Sequence, residues 1–183
     1  VAEHEGAPAA PVCAGWVGRV ELGWPDGVPD GGRHGFAPAH RERLEAALPG
    51  MATRLARALP EGARRVLVLG FEELMYAPLR LATELERLVD GVETRFSTTT
   101  RSPVLAVDDP GYAIRSRIVF PAHDEPADGP GERYAYNVAG GGFDAVIAVV
   151  DSTADTPALH APDGLLATLA AHTPTVLLAV VPS

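Results

Sequence analysis

Arg64-Arg65-Val66-Leu67-Val68-Leu69-Gly70 places four consecutive apolar residues, a strand's length, between two arginines and a glycine. A strand with one wet face alternates apolar and polar residues. An unbroken run is what a strand buried on both faces requires, and such strands belong to parallel sheets covered by helices. Phe143–Val150 and Thr175–Val181 read the same way. Val66–Leu69, Phe143–Val150 and Val176–Val181 are therefore expected as buried parallel strands of one sheet.

Working outward, Pro78 opens a helix carrying Leu81, Leu85, Leu88 and Val89 on one face, since proline suits the first helical turn. Phe71–Ala77 is then the turn between strand and helix. Val92–Thr98 is a further strand, running into Thr99-Thr100-Arg101-Ser102-Pro103. Upstream, Trp16–Trp24 alternates loosely, and Pro25–Gly35 reads as loop. Ala39–Leu59 has leucines and methionine at spacings of three or four, broken near Pro49-Gly50, which predicts two short helices or one kinked helix. Ile114–Ala122 and Arg133–Val138 predict an antiparallel hairpin. Its tip, His123–Glu132, is expected to be solvated and mobile, able to close over a site. Leu159–Ala171 is predicted helical. The order of elements gives an α/β fold: an open, mostly parallel, Rossmann-like sheet flanked by helices, with an inserted hairpin. The expected organisation is a frayed segment at 1–15 and one α/β domain over 16–183.

Composition narrows the function. The net charge of −9 argues against a general grip on nucleic acid, which needs clustered Lys or Arg. All 15 basic residues are Arg, so a Schiff-base lysine and a lysine-tipped phosphate loop are excluded. Cys13 is the sole cysteine, which excludes an internal disulfide and a cysteine-based zinc site and suits a reducing cytoplasm. No apolar run approaches the roughly 20 residues of a membrane helix. No basic-then-apolar leader opens the chain, so no secretory signal is expected, and a first residue of Val suits a piece of a longer polypeptide.

In open parallel sheets, ligands sit beyond the carboxyl ends of the strands. Three such ends are polar here: Glu72 and Glu73; Thr99, Thr100, Arg101 and Ser102; and Asp151, Ser152 and Thr153. An arginine can fork onto phosphate, carboxylates accept from ribose hydroxyls, and Ser or Thr can do either. These nine residues are the candidate ligand site. The same residue types also cap helices and end strands, and for Asp151–Thr153 the two readings stand level. Arg101 could instead pair with a carboxylate such as Asp108, Asp109 or Asp151. Asp108-Asp109 would suit a divalent cation such as Mg, although a turn before Pro110 is the simpler reading. The six histidines offer no pair at helical spacing for zinc, and no catalytic residue can be assigned.

Thr99-Thr100-Arg101-Ser102-Pro103, Gly70-Phe71-Glu72-Glu73-Leu74, Phe120-Pro121-Ala122-His123-Asp124 and Tyr136-Asn137-Val138 leading to Phe143-Asp144 occur in an order that resembles the TRSP domain family. The resemblance implies a domain that follows a phosphoribosyltransferase in bacterial tellurite-resistance and stress-response gene clusters. It further implies a role with that partner in making a nucleoside-like metabolite, through a small phosphorylated sugar or nucleoside. The alternative is a non-catalytic domain that stabilises the partner. The element order is itself similar to a type I phosphoribosyltransferase, but the residues depart from it. The turn that should cradle pyrophosphate with glycine amides carries Glu72 and Glu73, whose charges would repel a diphosphate by several kcal/mol each at ~4 Å unless a metal intervenes. The expected two acids of the phosphate loop are reduced to Asp151, with no glycine until Gly164.

Overall fold

A computed structural model of the chain describes residues 9–29, 35–124 and 131–182. Five strands form one sheet: β1 (Trp16–Val20), β2 (Arg65–Gly70), β3 (Glu93–Thr98), β6 (Ala145–Asp151) and β7 (Thr175–Val181). Their order is β1-β7-β6-β2-β3, and all four pairings are parallel. The three apolar runs are the three central strands, as their two-sided burial demands. β3, with alternating exposure, and β1 form the edges. The register of β2 against β6, Val66 opposite Ala145 through Gly70 opposite Val149, brings the ends of these strands side by side.

Helices α1 (Pro38–Ala58) and α2 (Tyr76–Leu88) cover one face. Leu44, Leu48, Met51 and Leu55 from α1 and Leu81 and Leu85 from α2 pack there on Val66, Val68, Ile147 and Leu177. The other face is covered by the short helix α3 (Leu165–Ala170) and by the antiparallel pair β4 (Arg117–Pro121) and β5 (Glu132–Tyr136). Ile118, Phe120, Ala135, Leu165 and Leu169 pack there on Leu67, Leu69, Val146 and Leu178. Residues at odd and even positions of β2 thus enter different cores, so each face of the strand is sealed from water. A core leucine such as Leu81, truncated to alanine, would cost about 2–5 kcal/mol.

Several boundaries differ from those the sequence suggests. Of the two expected forms, two short helices are not found: α1 is one continuous helix through Pro49. Its buried stripe holds the segment together despite the missing backbone donor. α2 begins at Tyr76, two residues before Pro78. The helix expected over Leu159–Ala171 is confined to Leu165–Ala170, because Pro162-Asp163-Gly164 makes turns before it. Gly164 is needed there: a Cβ would lie 2.3 Å from the Ala158 carbonyl oxygen. Residues 1–8 of the segment expected to be frayed lie outside the described residues. Residues 9–15 are docked, with Val12 and Gly15 donating to the Ala171 and Ala170 carbonyls at 2.8 and 2.7 Å. Residues 125–130 of the expected mobile tip are likewise not described. His123, expected to be solvated, is instead buried at 1% exposure. Among the described residues, no helix is long and apolar enough to cross a membrane.

Candidate functional site

β2 and β6 are neighbours, yet the chain leaving β2 crosses to α2 on one face while the chain leaving β6 crosses to α3 on the other. Such a reversal opens a crevice at the strand ends, the usual ligand position in this architecture. Glu72 stands two residues beyond the end of β2, and Asp151 is the last residue of β6.

The turn after β2 is held in an unusual conformation. Glu72 has φ of +47°, in the left-handed region that residues with a Cβ seldom adopt. Its N–H donates to the Thr99 hydroxyl at 3.1 Å, and Leu74 N–H closes the turn on the Phe71 carbonyl at 2.8 Å. Thr99, buried, is therefore the residue that positions Glu72. Gly70 is needed because a Cβ would meet the Leu74 carbonyl oxygen at 2.4 Å.

This conformation turns the Glu72 carboxylate inward between two arginines. Arg133 Nε donates to Oε1, and Arg101 Nε donates to Oε2 at 3.0 Å. The Glu72 and Arg133 side chains are only 3% and 4% exposed, whereas Arg101 is 42% exposed. Arg133 also lies 3.6 Å from Asp124 Oδ1, and Arg101 Nη2 lies 3.8 Å from exposed Glu73. Two of the expected alternative partners of Arg101 are engaged elsewhere. Asp108 pairs with Arg115, and Asp109 shapes the turn by accepting from Gly111 N–H at 2.6 Å.

The remaining expected residues divide between scaffold and surface. Thr100 pairs with Tyr134 in an antiparallel bridge that ties the hairpin to the sheet. Its hydroxyl accepts from Ser102 N–H at 3.1 Å, and the Ser102 carbonyl accepts from Tyr136 at 2.7 Å. Buried Asp151 accepts on Oδ1 from the Thr153 hydroxyl at 2.6 Å and from Ala154 N–H at 3.1 Å, a capping arrangement. Ser152 and Thr153 are exposed beside it. Glu72, Glu73 and Thr99–Ser102 thus form one cluster, and Asp151–Thr153 stands at the neighbouring strand end.

What links the two is His123. Its ring lies 4.5 Å from that of Phe71, and Nδ1 sits 2.8 Å from the Ala154 carbonyl. A carbonyl can only accept, so Nδ1 carries the proton and Nε2 is left as an acceptor. Nε2 is buried with no hydrogen-bond partner, as are Asp124 Oδ1 and Arg133 Nη2. Burial holds the His123 pKa below its usual value, against the opposing pull of the Ala154 carbonyl. His123, Asp124 and Arg133 were not among the residues expected at the site. Only Phe120–Asp124, one of the stretches carrying the family resemblance, marked two of them. Among the described residues, no group of three or more His, Cys, Asp or Glu is arranged to hold a metal ion.

A family model described as the TRSP domain C-terminal to PRTase_2 matches residues 30–169. The chain belongs to the TRSP domain family. No curated protein and no solved structure is similar enough to match. The matched span contains every TRSP residue of the cluster described above, from Glu72 to Thr153, and stops before β7. The Thr99-Thr100-Arg101-Ser102-Pro103 stretch leaves β3 at the sheet edge. In this TRSP domain its threonines build the scaffold and its arginine faces the buried glutamate.

Proposed function

We propose that this TRSP domain is the accessory or second-step partner of a phosphoribosyltransferase domain, and that it binds a ribosyl-phosphate or nucleoside-like molecule at the carboxyl ends of β2, β3 and β6. The observation that carries the reading is Glu72, a buried carboxylate in a left-handed conformation at the switch point, held between Arg101 and Arg133. Left-handed backbone at a residue with a Cβ costs roughly 1–2 kcal/mol, and such strain concentrates at ligand sites. Acids beside a half-exposed guanidinium and exposed Ser102, Ser152 and Thr153 suit a polyhydroxylated ligand with one anionic group. The pathway fits the same reading: a nucleoside-like metabolite of a bacterial tellurite or stress response, made in the cytoplasm.

Partner docking has its own support. The family description puts the phosphoribosyltransferase on the amino-terminal side. Next to that side, Val12 in the stretch before β1 and Trp16 at the start of the β1 edge strand are 75% and 62% exposed. The mutual pairing of Glu72, Arg101 and Arg133 and the capping by Asp151 favour a second reading, a non-catalytic domain that stabilises its partner.

Thermal melts of the chain separate the two. Ribose 5-phosphate, a nucleoside panel with and without Mg, and a phosphoribosyltransferase domain are added in turn. A ligand at a hundredfold excess over its Kd adds about 2.7 kcal/mol of stability. A shift with a ribosyl compound, lost in Arg101→Ala, supports the ligand site. A shift with the protein partner alone supports the second reading, and no shift with either overturns both.

A further inference from the structure

At the amino ends of β6 and β7, opposite the crevice just described, lies a cleft of about 620 Å³. It opens between the docked stretch Ala9–Val12, the loop before β4, the Asn137–Gly141 loop and His172 after α3. Its volume is that of a metabolite pocket, typically 300–1,000 Å³.

The walls are pinned by internal hydrogen bonds, so the shape is pre-formed. Asn137, at φ of +57°, accepts on Oδ1 from Arg115 N–H at 2.8 Å and Ser116 N–H at 3.3 Å, while Nδ2 donates to the Ala113 carbonyl at 2.8 Å. Ser116 Oγ donates to the Ala139 carbonyl at 2.6 Å. Gly140 also has positive φ, and a Cβ there would have open space within 4 Å.

The charges within the cleft do not cancel. Arg115 donates to Asp108 through Nε at 3.1 Å and Nη2 at 2.5 Å, which neutralises both. Arg117 makes no ion pair among the described residues, and its Nε is buried with no hydrogen-bond partner. His172 Nδ1, in the same lining, is also buried without a partner. An unpaired buried donor costs about 1–3 kcal/mol, and an oxyanion is the acceptor that satisfies a guanidinium best. Ala10, Val12 and Ala106 supply an apolar wall beside it.

We propose that this cleft is a binding site for a small organic oxyanion, a phosphate monoester whose phosphate meets Arg117 and His172 and whose body lies on the alanine wall. It is separate from the strand-end crevice and does not rest on the function proposed for that crevice.

The test is an amide-resolved NMR titration of the full chain with inorganic phosphate, AMP and adenosine. Saturable shifts at Ser116, Gly140 and Gly141 are expected with AMP, weaker ones with phosphate, and none with adenosine at the same concentrations. Arg117→Gln should weaken AMP at these amides about tenfold or more. Ala106→Phe, which fills the cleft without touching its charge, should do the same. The proposal is overturned by absence of saturable shifts at these amides up to about 20 mM AMP, a Kd too weak for a specific site. It is equally overturned if both cleft variants, checked for native spectra, bind as the parent does. Should Arg117→Gln fail to fold, Ala106→Phe decides alone.

Discussion

Glu72 and Arg133, 61 positions apart, form a buried ion pair in which Arg133 Nε donates to Glu72 Oε1. The contact locks the β4–β5 hairpin onto the turn after β2. It therefore couples the candidate site to the layer that covers it.

Removing one member should be costlier than removing both, because a lone buried charge keeps its desolvation penalty without compensation. Glu72→Gln is expected to lower stability by about 3 kcal/mol, since Arg101 and Arg133 both lose their anion. A double variant, Glu72→Leu with Arg133→Met, should recover a large part of that loss. Urea denaturation of the two variants checks this. Equal or additive losses would mean that the pair is not a coupled unit.

His123 predicts a dependence of stability on pH. Burial depresses its folded-state pKa below 6.5, and His172 is shifted in the same direction by burial. The unfolded chain therefore takes up protons first. Stability should fall as pH drops through 6.5 and level off below the folded-state values, with a slope of up to about 1.4 kcal/mol per pH unit for each histidine. His123→Gln should remove one histidine's share of the slope. Denaturant midpoints from about pH 8 to about pH 5 measure it. An unchanged slope in the variant would show that His123 titrates alike in both states.

The α1–α2 contact adds a second, more acidic transition. Glu45 accepts from Arg80 Nε and Nη2 at 2.8 and 2.7 Å and from the Tyr76 hydroxyl at 2.7 Å. The Arg80 hydrogen bonds lower its pKa to about 2, against the effect of burial. A depressed folded pKa stabilises above the unfolded value of 4.5, and that stability is lost as pH falls from 4.5 towards 2. The two side chains are about 30% exposed, so solvent screening reduces the effect, and Glu45→Gln should cost about 1–2 kcal/mol at neutral pH. Acid unfolding of parent and variant should converge below the window. Divergence there would assign the effect to packing instead.

The central strands were legible because burial on both faces leaves a mark in one short window, as in Val66–Leu69. Thr99, Arg101 and Glu72 were legible as polar strand ends, but not which of them face one another. That depends on φ at Glu72 and on Arg133, which lies on a strand reading Glu-Arg-Tyr-Ala-Tyr, where an arginine suggests an outward face. Its burial follows from a partner 61 residues away, which no local pattern records. His123 was obscured in the same way. Beside Asp and Glu it reads as solvated, and only the stacking on Phe71 and the Ala154 carbonyl place it inside. The shortening of α3 was visible in Pro162 and Gly164, whose turn chemistry outweighs the apolar spacing around them.

Arg101 is the residue on which the proposed strand-end site depends most directly. Its guanidinium is 42% exposed and shares Glu72 with Arg133, so removing it leaves the buried carboxylate still paired. Arg101→Ala should therefore change stability by no more than about 1 kcal/mol, the range of a partly exposed ion pair. Its effect on a ribosyl-phosphate should be larger, a loss of about 1.5–3 kcal/mol, or ten- to a hundredfold in Kd, because a charge-assisted contact to the ligand disappears. Arg101→Lys keeps the charge but not the planar fork and should restore only part of the affinity. Denaturant melts and calorimetric titration of the three proteins supply both quantities. If stability falls by several kcal/mol while affinity is unchanged, Arg101 serves the Glu72 pair alone and the ligand must be held elsewhere.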